Sequence, residues 1–231
     1  MSESVQGLNM QTLPLIYRDE HLFVKIEGSL WLLDTGAPTS FGNTKSITIA
    51  GKKFAIAKSY MGLSSVTLSE FVGVQCIGLL GADILGHFDH VFDCTNDKLT
   101  VSLDELTHSG QTLQLSEFMS IPILTARISD SECRMFFDTG AQISYYQDDA
   151  LTDFPADESI TDFYPGVGQF QTDTYQVDIS LSGIDFTLRC GTLPGLLGAT
   201  LKMADTQGII GNQIMNNRVI GYFPRRNVLC L

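Results

Sequence analysis

Asp34-Thr35-Gly36-Ala37 closes the apolar pair Leu32-Leu33, and Asp138-Thr139-Gly140-Ala141 closes the apolar pair Phe136-Phe137, 104 positions further along a chain of 231 residues. A single Asp-x-Gly reads as a β-turn, with the carboxylate accepting backbone hydrogen bonds and Gly supplying a positive φ. Two copies at matching places in a repeated chain suggest that the two turns face each other. Two carboxyl groups in contact cannot both ionise cheaply; repulsion raises one pKa and leaves the pair sharing a proton. Such a dyad holds a base and an acid side by side. One carboxylate can deprotonate a water while its partner protonates a carbonyl oxygen, so an amide can be hydrolysed with no metal, cofactor or nucleophilic side chain.

The elements that would carry the two turns also recur. Ser40 pairs with Ser144, Tyr60 with Tyr164 and Gly62 with Gly166 at the same separation. Gly78-Leu79-Leu80-Gly81 returns as Gly208-Ile209-Ile210-Gly211, now 130 positions on, so the second copy is 26 residues longer and the extra length follows Gly166. Gly195-Leu196-Leu197-Gly198 competes for that last match, but only the Gly208 segment leaves the corresponding length of chain after it. The expected division is an N-terminal lobe over 1–108 and a C-terminal lobe over 109–231, meeting near His108-Ser109-Gly110. Short apolar runs at 13–17, 21–26 and 30–33, and again at 121–128 and 132–137, are separated by turn residues and read as strands. Only 82–88 and 212–217 read as short helices.

Apolar-apolar-Asp-Thr-Gly followed by apolar-apolar-Gly, twice in one chain, resembles the pepsin-like and retroviral (retropepsin-like) aspartic proteases. Two lobes in one polypeptide is the pepsin plan. Lobes of about a hundred residues, the Ala after Asp-Thr-Gly and the Gly81-Ala82-Asp83-Ile84-Leu85 segment resemble the retroviral enzymes, as if their dimer had been fused. The absence of Arg from Ala82-Asp83 and Asn212-Gln213 departs from the retroviral pattern. The resemblance implies a mainly β, bilobal acid protease fold with pseudo-twofold symmetry and short helices. It implies an aspartic endopeptidase acting on extended polypeptides, with Asp34 and Asp138 on the attacking water. Thr35 and Thr139 would lock the two turns together, and Gly36 and Gly140 would offer carbonyls to the substrate. Tyr60 with Gly62, and Tyr164 with Gly166, would form flaps; Pro165-Gly166 suits the centre of a type II turn. Ala37 and Ala141 stand where pepsin-like enzymes carry a hydroxyl that can stabilise the charged carboxylate, so higher dyad pKa values and a mildly acidic to near-neutral optimum are expected. The alternative is a catalytically silent peptide-binding or inhibitory protein on the same fold.

Composition narrows the partners. The formal charge is −12, from 26 acidic against 14 basic residues, which disfavours nucleic acid and anionic membrane surfaces. The charge reads as solubility or, more sharply, as a bias toward cationic substrates; Asp148, Asp149, Asp153, Asp157, Glu158 and Asp162 read as a solvated face. No run is long and apolar enough to cross a bilayer and the N-terminus has no secretory pattern, so a cytoplasmic monomer of two pseudo-symmetric lobes is expected. The five cysteines show no Cys-x-x-Cys spacing and read as free thiols, with a disulfide pair and one remaining thiol still open. His87 and His90 have a ligand-like spacing but no matching partners, so no metal is expected. Gly166-Val167-Gly168 lacks the Lys and Ser/Thr of a phosphate loop.

Overall fold

The structure is a computed structural model that describes residues 9–164 and 167–231. It begins as a meander. Met10–Arg18 turns through Asp19 and Glu20 into His21–Ile26, which turns through Glu27 and Gly28 into Ser29–Leu33. In both turns the two central residues have positive φ (47° and 61°, then 49° and 84°), and the pairs Arg18↔His21 and Ile26↔Ser29 close directly across them. This is type I′ geometry, whose twist matches that of the flanking strands.

Ser29–Leu33 is apolar on both faces because it is buried on both. Trp31 and Leu33 join a large core shared by the two halves of the chain, whereas Leu32 joins a smaller cluster with Phe23, Phe41, Leu63 and Leu68. Met135 and Phe137 repeat the first role; Phe136 repeats the second, beside Ile143, Tyr145, Leu193 and Leu197. Each strand runs parallel to the glycine-led strand of its own repeat: Trp31–Leu33 beside Gly78–Leu80, and Met135–Phe137 beside Gly208–Ile210. The competing Gly195 segment starts a helix instead, Gly195–Met203.

The chain is mainly β and bilobal, as expected. One sheet has ten strands and the other eight, with two small hairpins besides. The ten-stranded sheet draws on both repeats: Asp89–Asp93 pairs with Val219–Phe223, and Thr112–Gln114 pairs with Val228–Cys230. The extra length of the second repeat lies after residue 166, as read from the sequence, in the long strands Gly168–Leu181 and Ile184–Gly191.

Two helices correct the sequence reading. Ser65–Val72 is held by a reciprocal capping box between Ser64 and Thr67, buries Leu68 and Val72, and ends at Gly73 with φ 69°. Its Ser, Thr and Val content gives little helical propensity, so packing over the small core decides it. Gly195–Met203 occupies the matching place in the second lobe, and its Gly-Leu-Leu-Gly start imitates the strand motif. The short helices at Ala82–Leu85 and Asn212–Met215 (the latter a 3-10 turn) fall within the expected segments. Among the described residues, no helix is long and apolar enough to cross a membrane.

Candidate active site

The two Asp-Thr-Gly turns meet. Each is pinned from below by the parallel strand of its own lobe: the Asp34 amide donates to the Leu80 carbonyl (3.0 Å), and that of Asp138 to Ile210 (2.9 Å). Each is pinned across the interface by threonines. Thr35 N–H donates to Thr139 Oγ1 (3.1 Å), and Thr139 N–H to Thr35 Oγ1 (3.0 Å). The hydroxyls donate onward to the carbonyls of Phe137 (2.7 Å) and Leu33 (2.9 Å). All four groups are buried, so each bond left unmade would cost its full desolvation. The sequence supplies this lock through one residue type used twice.

Asp34 and Asp138 are consequently placed carboxyl to carboxyl, within hydrogen-bonding reach. A backbone amide holds one oxygen of each: Ala37 N–H donates to Asp34 Oδ1 (2.7 Å) and Gly140 N–H to Asp138 Oδ1 (2.8 Å). A Cβ on Gly36 would collide with the Asp138 carboxyl, and one on Gly140 with that of Asp34, so glycine is required by the close approach of the opposing acid. Both carboxyls keep partial exposure at a cleft floor but are otherwise enclosed by protein. That enclosure raises the pKa of each; for Asp34 the charge of Asp138 raises it further, well above the usual carboxylate range. The pair therefore retains one proton beyond the pH at which a free carboxyl would lose it.

Behind the turns, Ser40 and Ser144 play equivalent parts, accepting from the amides of Gly81 (2.8 Å) and Gly211 (3.1 Å). The symmetry then breaks. Ser40 also donates to Asp83 Oδ1, whereas Asn212 Nδ2 donates to the carbonyls of Glu20 (2.9 Å) and Thr139 (3.3 Å).

Above the dyad is a cleft of about 360 Å³. Tyr60 and Tyr164 both line it, and the Tyr164 phenol is pushed up to about 12, by burial first and then by the charges of Asp138 and Asp34. Gly62 is the second residue of a type I′ turn with Met61 (φ 83° and 45°) between Ser59–Tyr60 and Leu63–Ser64. The corresponding hairpin of the second lobe is far longer: Ala156–Tyr164 pairs with Gly168–Leu181, and Tyr164 faces Gly168. Gly166 and the Pro165-Gly166 turn lie outside the described residues. Phe163 in this hairpin stacks on Phe71 of the first lobe's helix, with centroids 4.9 Å apart and planes 23° from parallel. Ala37 and Ala141 line the cleft beside Asp34 and Asp138.

Three site features escaped the sequence reading. Leu193, Leu197 and Thr200 reach the cleft from the unforeseen helix and the segment before it. Met61, Met119 and Val167, all more than a third exposed, line its mouth. Asp162, expected on a solvated face, is buried and accepts from the Tyr145 hydroxyl. Conversely, His87 and His90 do not converge: His87 is exposed beside Lys52, while His90 is buried with Nε2 on the Leu85 carbonyl (2.7 Å). Among the described residues no cluster of His, Cys, Asp or Glu could hold a metal.

Fold and site together define a bilobal, pepsin-like β architecture with a carboxyl pair at the lobe junction. Among solved structures the chain is similar to Basic 7S globulin from soybean, at TM-score 0.54 and 8% identity over 96% of this chain and 94% of that one. No family model matches, and no curated protein does. This corrects the family reading taken from the motifs. The neighbour is a globulin and no protease family recognises the chain, so the likeness carries the fold and does not carry membership of the pepsin-like or retropepsin-like proteases.

Proposed function

We propose that this protein is an aspartic endopeptidase that hydrolyses peptide bonds in extended polypeptides. The observation that carries the reading is the contact between Asp34 and Asp138, enclosed, sharing a raised pKa and opening onto a cleft. In the reaction a water sits between the two carboxyls. The ionised member removes its proton as it attacks the scissile carbonyl, and the protonated member donates to the carbonyl oxygen. The resulting diol collapses when a proton passes to the amide nitrogen, and the C–N bond breaks.

Thr35 and Thr139 keep the acids from moving apart. Gly36 and Gly140 present main-chain groups to the substrate, which pairs as an added strand. Ala37 and Ala141 contribute amides to the carboxyls and no hydroxyl. Tyr60 with Gly62, and Tyr164 with Gly166, close over the bound chain. The lobes are divided near residues 108–110, one chain suffices for the site, and five free cysteines suit a reducing, cytoplasmic setting.

A second reading is favoured by the likeness to a globulin: a silent protein that binds peptides in the same cleft. An unfolded protein incubated with the chain, with and without a pepstatin-type inhibitor, separates the two. Cleavage that the inhibitor stops and that Asp34→Asn abolishes is the expected result. Binding without cleavage by the wild type supports the silent reading and overturns the enzyme.

A further inference from the structure

Asp162 is a buried acid that the hydrolytic mechanism does not use. Its residue is 8% exposed, yet among the described residues no Lys, Arg or His lies within ion-pair distance of it. Its partners are the Phe163 amide (2.7 Å to Oδ1) and the Tyr145 hydroxyl. An interior carboxylate without a cation is costly, and acids this buried are usually paired. Asp162 is also placed to be reached, because it lines the cleft above the dyad. Around it the wall is apolar: Tyr145, Phe170, Leu193, Leu197 and Ile209. Burial and the charge of Asp162 raise the Tyr145 phenol, so it stays a donor, and both residues line the same cleft as Asp138.

The adjoining space has the same sign. Asp162 and Phe163 also line a cavity of about 240 Å³ that includes Asp19 and Glu70 of the first lobe. His21 borders it too, with Nδ1 held by the Asp19 carbonyl oxygen at 2.6 Å. A largely apolar cleft wall that carries a carboxyl group with no cation beside it among the described residues fits a side chain with a hydrocarbon stem and a cationic head.

We propose that Asp162, with Tyr145 orienting it, forms a specificity subsite in the second lobe for a lysine or arginine side chain of the substrate near the scissile bond. Asp162 thereby determines specificity and Tyr145 is its positioning residue. The proposal rests on the cleft being the site of peptide hydrolysis. Neutral aliphatic side chains would fill the apolar walls but leave the carboxylate unpaired, whereas a cation restores the missing partner.

The test uses peptides identical except at one position, moved stepwise across the scissile bond and occupied by Lys, Arg, norleucine or Gln. At one position wild type should cleave the Lys or Arg peptide with kcat/KM roughly 10- to 100-fold above the norleucine peptide, the range of a buried charge-assisted contact. Asp162→Asn should remove that preference while keeping cleavage of the norleucine peptide, and Tyr145→Phe should reduce it. Equal rates on Lys and norleucine peptides at every position in the wild type overturn the subsite, whatever the variants do. Binding of the same peptides to Asp34→Asn, followed by fluorescence anisotropy, separates this idea from the enzymatic one. If nothing is cleaved but Lys peptides bind about tenfold tighter than norleucine ones, hydrolysis fails and the cationic subsite stands. If no peptide is bound or cleaved, both fall.

Discussion

The raised pKa values of Asp34 and Asp138 have a consequence for stability as well as for the proposed hydrolysis. Both pKa values are raised in the folded chain, so the folded pair binds a proton more readily than the unfolded chain does. Stability from this source is fully present below the unfolded carboxyl value near 4 and is lost as pH rises through the folded value. Asp34→Asn or Asp138→Asn removes the like-charge conflict. Each should therefore raise stability at pH 7 by about 1–2 kcal/mol, read in urea melts, with little gain at pH 3. The same variants should lower kcat by at least about a thousandfold. Equal melting of variant and wild type at pH 7 would argue against a strained pair. The alanines beside the dyad permit a second test. In Ala37→Ser a hydroxyl joins the amide already bound to Asp34, favouring the charged form. The alkaline limb of the rate profile should then move down by about 0.5–1 pH unit, and Ala141→Ser should act likewise on Asp138.

Element by element, the two repeats share their floor and differ in their roof. The bonds from each aspartate amide to its glycine-led strand and the reciprocal threonine bonds are matched between the repeats, because two carboxyls can meet only if both turns are held alike. The hairpins over the cleft carry no such constraint. One is a two-residue type I′ turn; the other is a hairpin long enough to cross the cleft and stack Phe163 on Phe71. An aromatic pair of this kind contributes about 1 kcal/mol. If this hairpin closes over the substrate as proposed, Phe163→Ala should loosen it and raise KM about fivefold with a smaller change in kcat; steady-state kinetics on one peptide decides it. A matching fall in kcat with KM unchanged would place the pair in the chemistry instead.

For the whole molecule, the ten-stranded sheet joins strands of both repeats. Asp89 and His90 are both fully buried in it. Asp89 is fully buried and held by Arg225 (Nη2 to Oδ1, 2.8 Å), by Arg226 and by the Leu106 amide (2.9 Å), tying the last strands to the segment between the repeats. Asp89→Ala should cost about 3 kcal/mol, the lower end for a buried pair because both arginines are about one-third exposed and can be rehydrated. His90 is stacked between Phe92 and Tyr222, with Asp89 and Arg225 nearby, and burial lowers its pKa to about 4. Its folded value lies below the unfolded 6.5, so the stability it allows is present above pH 6.5 and is lost as pH falls toward 4, about 3 kcal/mol in all. Denaturation midpoints at pH 4, 5, 6 and 7 should trace that slope, and His90→Gln should flatten it.

The paired Asp-Thr-Gly-Ala segments, the apolar strands before them and the glycine-led strands behind were legible in order and spacing, because a turn that must approach its own copy leaves few choices of residue. The position of the extra length was legible for the same reason: it is whatever the repeat does not account for. The helices at Ser65–Val72 and Gly195–Met203 were not, since burial against Leu32 and Phe136 overrides weak local preference. Nor was the interior place of Asp162. It sits among acids that read as solvated, and only folding the long hairpin over Tyr145 buries it. Residue type and spacing determine which groups can do chemistry; which of them lose their water is decided by what packs on top, and that is a property of the tertiary structure alone.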